Sequence, residues 1–324
     1  VIQAPSLLET LRYRPPWRGA SLRDVLPRVH PLVGGDRAAR GLLWVPQKGI
    51  IRVEHNLGNV GTSTPGSGVS TGAAASTKGT PAELITSTAF DAYWITVLAS
   101  NYGLAATTAQ GCLDILVGAA TEEVLIPNLL MGFCGGSSAL GESSKRWDFP
   151  LYIPSGTRIA AQVAGDRLST AMRVGIILYG GDGAPPFRVG RKVTTYGITT
   201  VPAGTDVAAG YSAAEGAWVE IDAGTDEDHF AFVPSFHPTD GDTTFVSIKA
   251  VYMDMGVGAA TEELMLGQQQ SFIFRVGSGE LCEGPWNSMP VIQDVPSGTR
   301  LVARLSYSGA TDTGEPDCAI HAVS

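Results

Sequence analysis

The sequence predicts an all-β protein: two tandem β-sandwich domains of jelly-roll type behind an extended N-terminal arm. Three observations carry this expectation. Charged residues make up only 16% of the 324 residues, while Gly and Pro together reach roughly 19%, against about 12% in an average protein. The second observation is an internal repeat. VGAATEE stands at Val117–Glu123 and again at Val257–Glu263, and PSGTR at Pro154–Arg158 and again at Pro296–Arg300. The order is shared and the offsets differ by only two residues, so the chain carries a tandem duplication. Third, short runs rich in Val, Ile, Thr and aromatics alternate between Gly, Pro and Asp turns. No amphipathic helix of three turns is visible, which argues against helical bundles and α/β enzymes.

Residues 1–52 form a basic, Pro-rich segment with nine Lys/Arg and three Asp/Glu. Pro5, Pro15, Pro16, Pro27, Pro31 and Pro46 interrupt any helix longer than two or three turns. Its arginines are interspersed with Leu, Val and Trp17 and do not cluster on one face. That pattern suits an arm lying across a partner protein better than a self-packed subdomain or a nucleic-acid contact. The segment has no apolar stretch of the kind a secretory signal carries, and no run approaches the ~18 apolar residues of a membrane span.

Residues 53–184 are the first repeat. Its strands are expected around Ala82–Thr86, Tyr93–Ser100, Cys112–Val117, Val124–Met131, Leu151–Ile153, Thr157–Ala164 and Met172–Tyr179. Residues 185–192 read as a linker stiffened by Pro185 and Pro186. Residues 193–324 are the second repeat, with four Lys/Arg against eighteen Asp/Glu. Its strands are expected around Ala217–Ile221, His229–Val233, Phe245–Met253, Ser271–Val276, Val291–Val295, Thr299–Ser306 and Cys318–Val323. About seven short strands per unit fit a jelly roll and an immunoglobulin-like sandwich alike, and long strands between short turns favour the jelly roll. The charge gradient predicts a docked head and a solvated, outward-facing second unit.

The search for chemistry returns no site. The chain has no Walker loop, dinucleotide fingerprint or His-Glu-x-x-His, and Gly66-Ser67-Gly68 lacks the strand–helix elbow of a serine hydrolase. Cys112, Cys134, Cys282 and Cys318 have no zinc spacing and read as buried thiols. Arg158 and Arg300 read as turn-locking salt bridges in preference to a ligand clamp. Glu122–Glu123 and Glu262–Glu263 are adjacent and so face opposite sides of a strand, which makes them solvated loop edges rather than an acid/base pair. Asp226, Asp228, His229, His237, Asp240 and Asp242 could gather around a cation. Acidic solvated loops are the preferred reading, since the first repeat has no counterpart of Asp240 and Asp242. Tyr93, Trp94, Trp147, Trp218 and Trp286 are available to a glycan, although core positions account for most aromatics. The sequence therefore predicts no catalytic, cofactor or metal residues and no enzyme.

AELITSTAFDAYWITV, LDILVGAATEEVLIPNLL and FPLYIPSGTRIAAQV together resemble a repeat found in structural proteins of tailed bacteriophages. The resemblance covers Gly58–Gly180, then more loosely Gly197–Ala322, where IPNLL gives way to MLGQQQ; residues 1–50 lie outside it. It implies a virion component and transfers no catalytic residue. The resulting expectation is a non-enzymatic virion protein, tail-associated (fibre, baseplate or adsorption apparatus), anchored through residues 1–50 to other virion proteins. A capsid decoration protein and a glycan-binding adhesin module are the alternatives. Symmetric assembly, with a trimer favoured, follows from the symmetric positions of virion parts.

Overall fold

A computed structural model describes residues 51–57, 66–101, 109–118, 122–133, 144–166, 171–181, 185, 187–210, 214–237, 249–258, 263–264, 269–276, 280–283, 286–307 and 316–324. The arm of residues 1–50, with Asp240, Asp242 and Cys134, lies outside the described residues. All regular structure among the described residues is β, and none of it is a helix able to cross a membrane.

The first repeat contains β1 (Ile51–Asn56), β2 (Ser67–Ser70), β3 (Ala82–Ile85), β4 (Ala92–Asn101), β5 (Ala109–Val117), β6 (Glu123–Phe133), β7 (Ser144–Phe149), β8 (Ile159–Gly165) and β9 (Ala171–Gly181). One sheet runs β1-β9-β4-β7 and the other β3-β8-β5-β6, with antiparallel neighbours throughout; short β2 adds to β9. With β2 set aside, the eight strands order as 1-8-3-6 over 2-7-4-5, the two interlocked Greek keys of a jelly roll.

The second repeat contains β10 (Val193–Tyr196), β11 (Thr205–Asp206), β12 (Ala209–Gly210), β13 (Val219–Asp222), β14 (His229–His237), β15 (Lys249–Val257), β16 (Glu263–Leu264), β17 (Gln269–Val276), β18 (Glu280–Glu283), β19 (Trp286–Ser288), β20 (Val291–Val295), β21 (Leu301–Tyr307) and β22 (Asp317–Val323). Its sheets run β10-β22-β14-β20 and β13-β21-β15-β17 with β18 at the edge, which is the same 1-8-3-6 over 2-7-4-5 order. The duplication in sequence is therefore a duplication of topology.

Two features depart from the sequence reading. The opening strand of each repeat, β1 and β10, was not among the expected strands, and β1 begins two residues inside the segment read as the arm. The strand expected at Leu151–Ile153 is reduced to isolated bridges at Leu151 and Ile153, and the regular strand is β7, which ends at Phe149. Lys145, Arg146 and Asp148 make β7 look solvated, yet Lys145 and Asp148 are buried. The Asp148 carboxylate accepts from Trp94 Nε1 at 3.0 Å and from Arg146 Nε at 2.7 Å.

The described carboxylates of the second repeat, Asp254 and Asp317 apart, are not buried, but two strands of one of its sheets are. All nine residues of β14 and all seven of β22 are buried. Phe232, Phe236, Cys318, Ile320 and Ala322 face the second repeat's own core. Ala231, Val233 and Val323 join the first repeat's core, with Met131, Trp147 and Phe149. Both faces of these two strands are covered, and Asp317 is the one carboxylate they carry. The segment between the repeats is likewise fastened. Gly190 exchanges backbone bonds with Pro150 and Tyr152, and Arg191 N donates to Ser324 O at 2.8 Å.

Candidate functional site

Each repeated motif builds a turn lock. In the first repeat Gly156, at φ +81°, turns the PSGTR loop, a conformation that costs glycine nothing. Thr88 sits beneath it. Its amide donates to Thr157 O at 2.9 Å, its hydroxyl donates to Pro154 O at 2.7 Å, and its carbonyl accepts from Gly156 N at 2.7 Å. Asp91 accepts from Ser155 N at 2.8 Å. In the second repeat Thr225 bonds Thr299, Pro296 and Gly298 in the same way, Gly298 has φ +78°, and Asp228 accepts from Ser297 N at 2.8 Å. Arg158 Nε donates to Glu83 at 2.9 Å and Arg300 Nε to Glu220 at 2.6 Å. The two arginines are turn-locking salt bridges, as expected. Glu122 is a correction, because it also pairs with Arg158 and is half-buried. Sequence inspection missed the supporting half of this device, although Glu83-x4-Thr88-x2-Asp91 and Glu220-x4-Thr225-x2-Asp228 repeat at a common spacing.

The two histidines of the acidic and histidine cluster do not come together. His229 and His237 sit at opposite ends of β14, roughly 26 Å apart at about 3.3 Å per residue. His229 bonds the Tyr196 hydroxyl at 2.8 Å, and burial pushes its pKa down. His237 Nε2 meets Pro202 O at 3.1 Å. Among the described residues no set of three or more His, Cys, Asp or Glu could hold a metal ion. Cys112 and Cys318 are buried free thiols.

A seam of buried polar groups joins the repeats. Strand β6 is a sheet edge, and unpaired edge groups demand partners. IPNLL (Ile126–Leu130) finds them across the seam: Thr195 Oγ1 donates to Pro127 O at 2.6 Å, and Leu130 N donates to Ser235 Oγ at 3.2 Å. His321 bridges the two hydroxyls, with Nδ1 2.9 Å from Thr195 and Nε2 2.7 Å from Ser235. Thr195 spends its proton on Pro127, so Nδ1 donates to it; Ser235 accepts from Leu130, so its hydroxyl donates to Nε2. The ring is a neutral Nδ1–H tautomer, and burial pushes its pKa down to about 3. Buried Lys145 reaches Leu130 O at 3.3 Å and also Phe236 O. Strand β19 pairs in parallel with β7, so the second repeat extends a sheet of the first. Gln110 Nε2 donates to Asp317 at 3.2 Å. Burial, and then hydrogen bonding to Asp206, pushes the Asp317 pKa up to about 8.

A groove of about 430 Å³ opens beside the first turn lock, lined by Val117, Gly118, Glu123, Leu125, Tyr152, Pro154, Thr157 and Arg191. Tyr152 stacks on Tyr93, with ring centroids 5.9 Å apart, and Arg191 lies over the Tyr152 ring at 5.8 Å. The PSGTR offset aligns Tyr152 with Asp294, where Arg188 closes the surface with a 2.6 Å bond. Of the other aromatics, Trp147 is core, Trp94 packs edge-on against Phe187 and Trp218 lies under Arg304. The Trp286 side chain lies outside the described residues.

No family model matches the chain, and no curated protein matches it. Among solved structures, PNGF-II is similar over 75% of this chain at 9–10% identity, with TM-scores of 0.35 and 0.33 in two crystal forms. The chain spans 59% of the PNGF-II chain. The tandem CBM22-1–CBM22-2 domain of Paenibacillus barcinonensis Xyn10C is similar over 85% of this chain and 91% of its own, at 9% identity and a TM-score of 0.24. No functional reading rests on likenesses this distant.

Proposed function

We propose that this chain is a non-catalytic structural component of a tailed-phage virion, associated with the tail and anchored through residues 1–50. One observation carries the reading. The described residues of the motifs that resemble the phage repeat are used to build and join domains: PSGTR with Gly118, Glu122 and Gly258 of VGAATEE in the turn locks, IPNLL in the seam between repeats. A repeat that spends its signature residues this way is a building element. Counting copies per particle tests the placement. A tail part is present in few copies, and hundreds of copies would place the protein on the capsid as decoration. Deletion of residues 1–50 is expected to leave folded jelly rolls that no longer enter particles; normal incorporation would overturn the anchor.

A second reading, glycan binding, is favoured by the Tyr93–Tyr152 groove. Paired aromatic rings beside Arg191 and Glu123 offer a sugar stacking and hydrogen bonds. A glycan array with the full chain tests it, and Tyr152→Ala should abolish any signal while leaving incorporation unchanged.

A further inference from the structure

Asp114, on β5, stands opposite a bulge in β6. Leu113 pairs with Leu129 and Ile115 with Ile126, so Pro127 and Asn128 together face the single residue Asp114. The bulge holds Asn128 at φ +53°, and bulges commonly re-aim a side chain. Lys78 meets this spot from the segment ahead of β3. Its Nζ lies 2.7 Å from Asp114 Oδ1 and 2.8 Å from Asn128 Oδ1. Asp114 is held in place by Asn128 N at 2.7 Å and by Gln162 Nε2 at 2.8 Å. The Cys112 thiol is 3.6 Å from the same Asn128 oxygen. An amine, a carboxamide and a carboxylate therefore converge, with the amide nitrogen turned away from the amine.

We propose that Lys78 and Asn128 join in an intramolecular isopeptide bond, with Asp114 carrying the proton. The Lys78 ammonium gives a proton to Asp114, and the freed amine attacks Asn128 Cγ. The broad terminal torsion of Asn lets the amide turn its face to the nitrogen. The Nζ–Cγ bond forms and the Cγ–Nδ2 bond breaks. Asp114 returns its proton to the leaving nitrogen, which departs as ammonia and takes up the second proton that Nζ sheds. Ammonium and carboxamide become a secondary amide and an ammonium ion, with no oxidant consumed. The three groups are held together before reaction, which removes the entropic cost of bringing them into contact. Lys78 keeps 22% side-chain exposure, so ammonia has a way out. The product ties the segment ahead of β3 to the strand that docks onto the second repeat.

The second repeat is the internal control. Asp254 corresponds to Asp114 and Arg304 to Gln162; Arg304 Nε lies 3.0 Å from Asp254, and Glu215 pairs with the same guanidinium at 2.5 Å. A guanidinium stays protonated and is no nucleophile.

Intact-mass measurement of the folded full-length chain tests the proposal. The expected mass is below the sequence mass by one ammonia, and digestion should yield a branched peptide linking Lys78 to Asn128. Lys78→Arg keeps the cation and should restore the full mass, as should Asp114→Ala. Asn128→Asp should replace the loss of ammonia with loss of water. A full sequence mass in the folded wild-type chain after prolonged incubation overturns the proposal, and so does a branch mapping to Asp114 or Cys112.

Discussion

The first repeat meets its neighbour with an edge, and the second meets it with a face. Strand β6 offers backbone groups at the rim of a sheet, whereas β14 and β22 present the broad outer side of one. The same fold thus reaches two solutions at one seam, and the sequences diverge where the roles diverge. IPNLL stands where β6 docks, and the second repeat reads MLGQQQ at the corresponding positions. The turn locks use the same Thr, Asp and Arg–Glu bonds in both repeats, and there the residues are shared. Divergence between the copies marks contact between them, while identity marks the work each does alone.

The strongest way to break this comparison is at the seam. His321→Ala removes a buried ring and strands the Thr195 and Ser235 hydroxyls, and should cost roughly 2–4 kcal/mol in denaturant unfolding. The register places half-buried Ile177 at the matching position of the first repeat, where Ile177→Ala should cost clearly less. Equal losses would mean that the seam carries no special load.

Next come the turn locks. Thr88→Val and Thr225→Val each remove the hydroxyl bonds of a buried threonine to its turn and should each cost about 1–2 kcal/mol. Near-equal values, additive in the double variant, would confirm the shared device; a large inequality would show that the repeats had diverged here as well.

The pH dependence should have two opposing parts. The folded His321 pKa lies at about 3 against 6.5 for the free side chain, so between these values the unfolded chain binds a proton that the folded chain refuses. Stability from this group is full above pH 6.5 and is lost as pH falls, by up to about 1.4 kcal/mol per pH unit. Asp317 acts in reverse. Its folded pKa is raised to about 8, so its contribution is greatest below about pH 4 and is lost as pH rises to 8. Urea titrations across this range should show Asp317→Asn removing the fall in stability between about pH 4 and 8. The smallest effect is expected from Arg300→Ala, whose partner Glu220 is exposed, since exposed ion pairs contribute little.

Much of the architecture was legible in the sequence. Order and offset of VGAATEE and PSGTR announced the duplication, and Gly156 and Gly298 announced their turns because only glycine takes such φ values freely. Strands β4, β5, β6, β8 and β9 stand close to where β-branched and apolar runs placed them. The candidate groove was not legible. Tyr152 gains its meaning from Tyr93, 59 positions away, and its difference from Asp294 shows only once the turns are superposed.

By itself, then, the sequence determined the local and repeated features: strand content, turn positions, the two copies and the charge gradient. These follow from backbone preferences and side-chain periodicity, which act over a few residues. The tertiary structure alone decided which polar groups are buried. Lys145, Asp148, His321 and Asp317 look like surface residues on any period-two reading, because a polar side chain on an edge or outer face normally has water as its partner. Here the partners are Phe236 O, Trp94 Nε1, Ser235 Oγ and Gln110 Nε2, supplied from distant parts of the chain. Only docking replaces water with these groups, and no local pattern encodes a hydrogen bond whose other half arrives a hundred residues later.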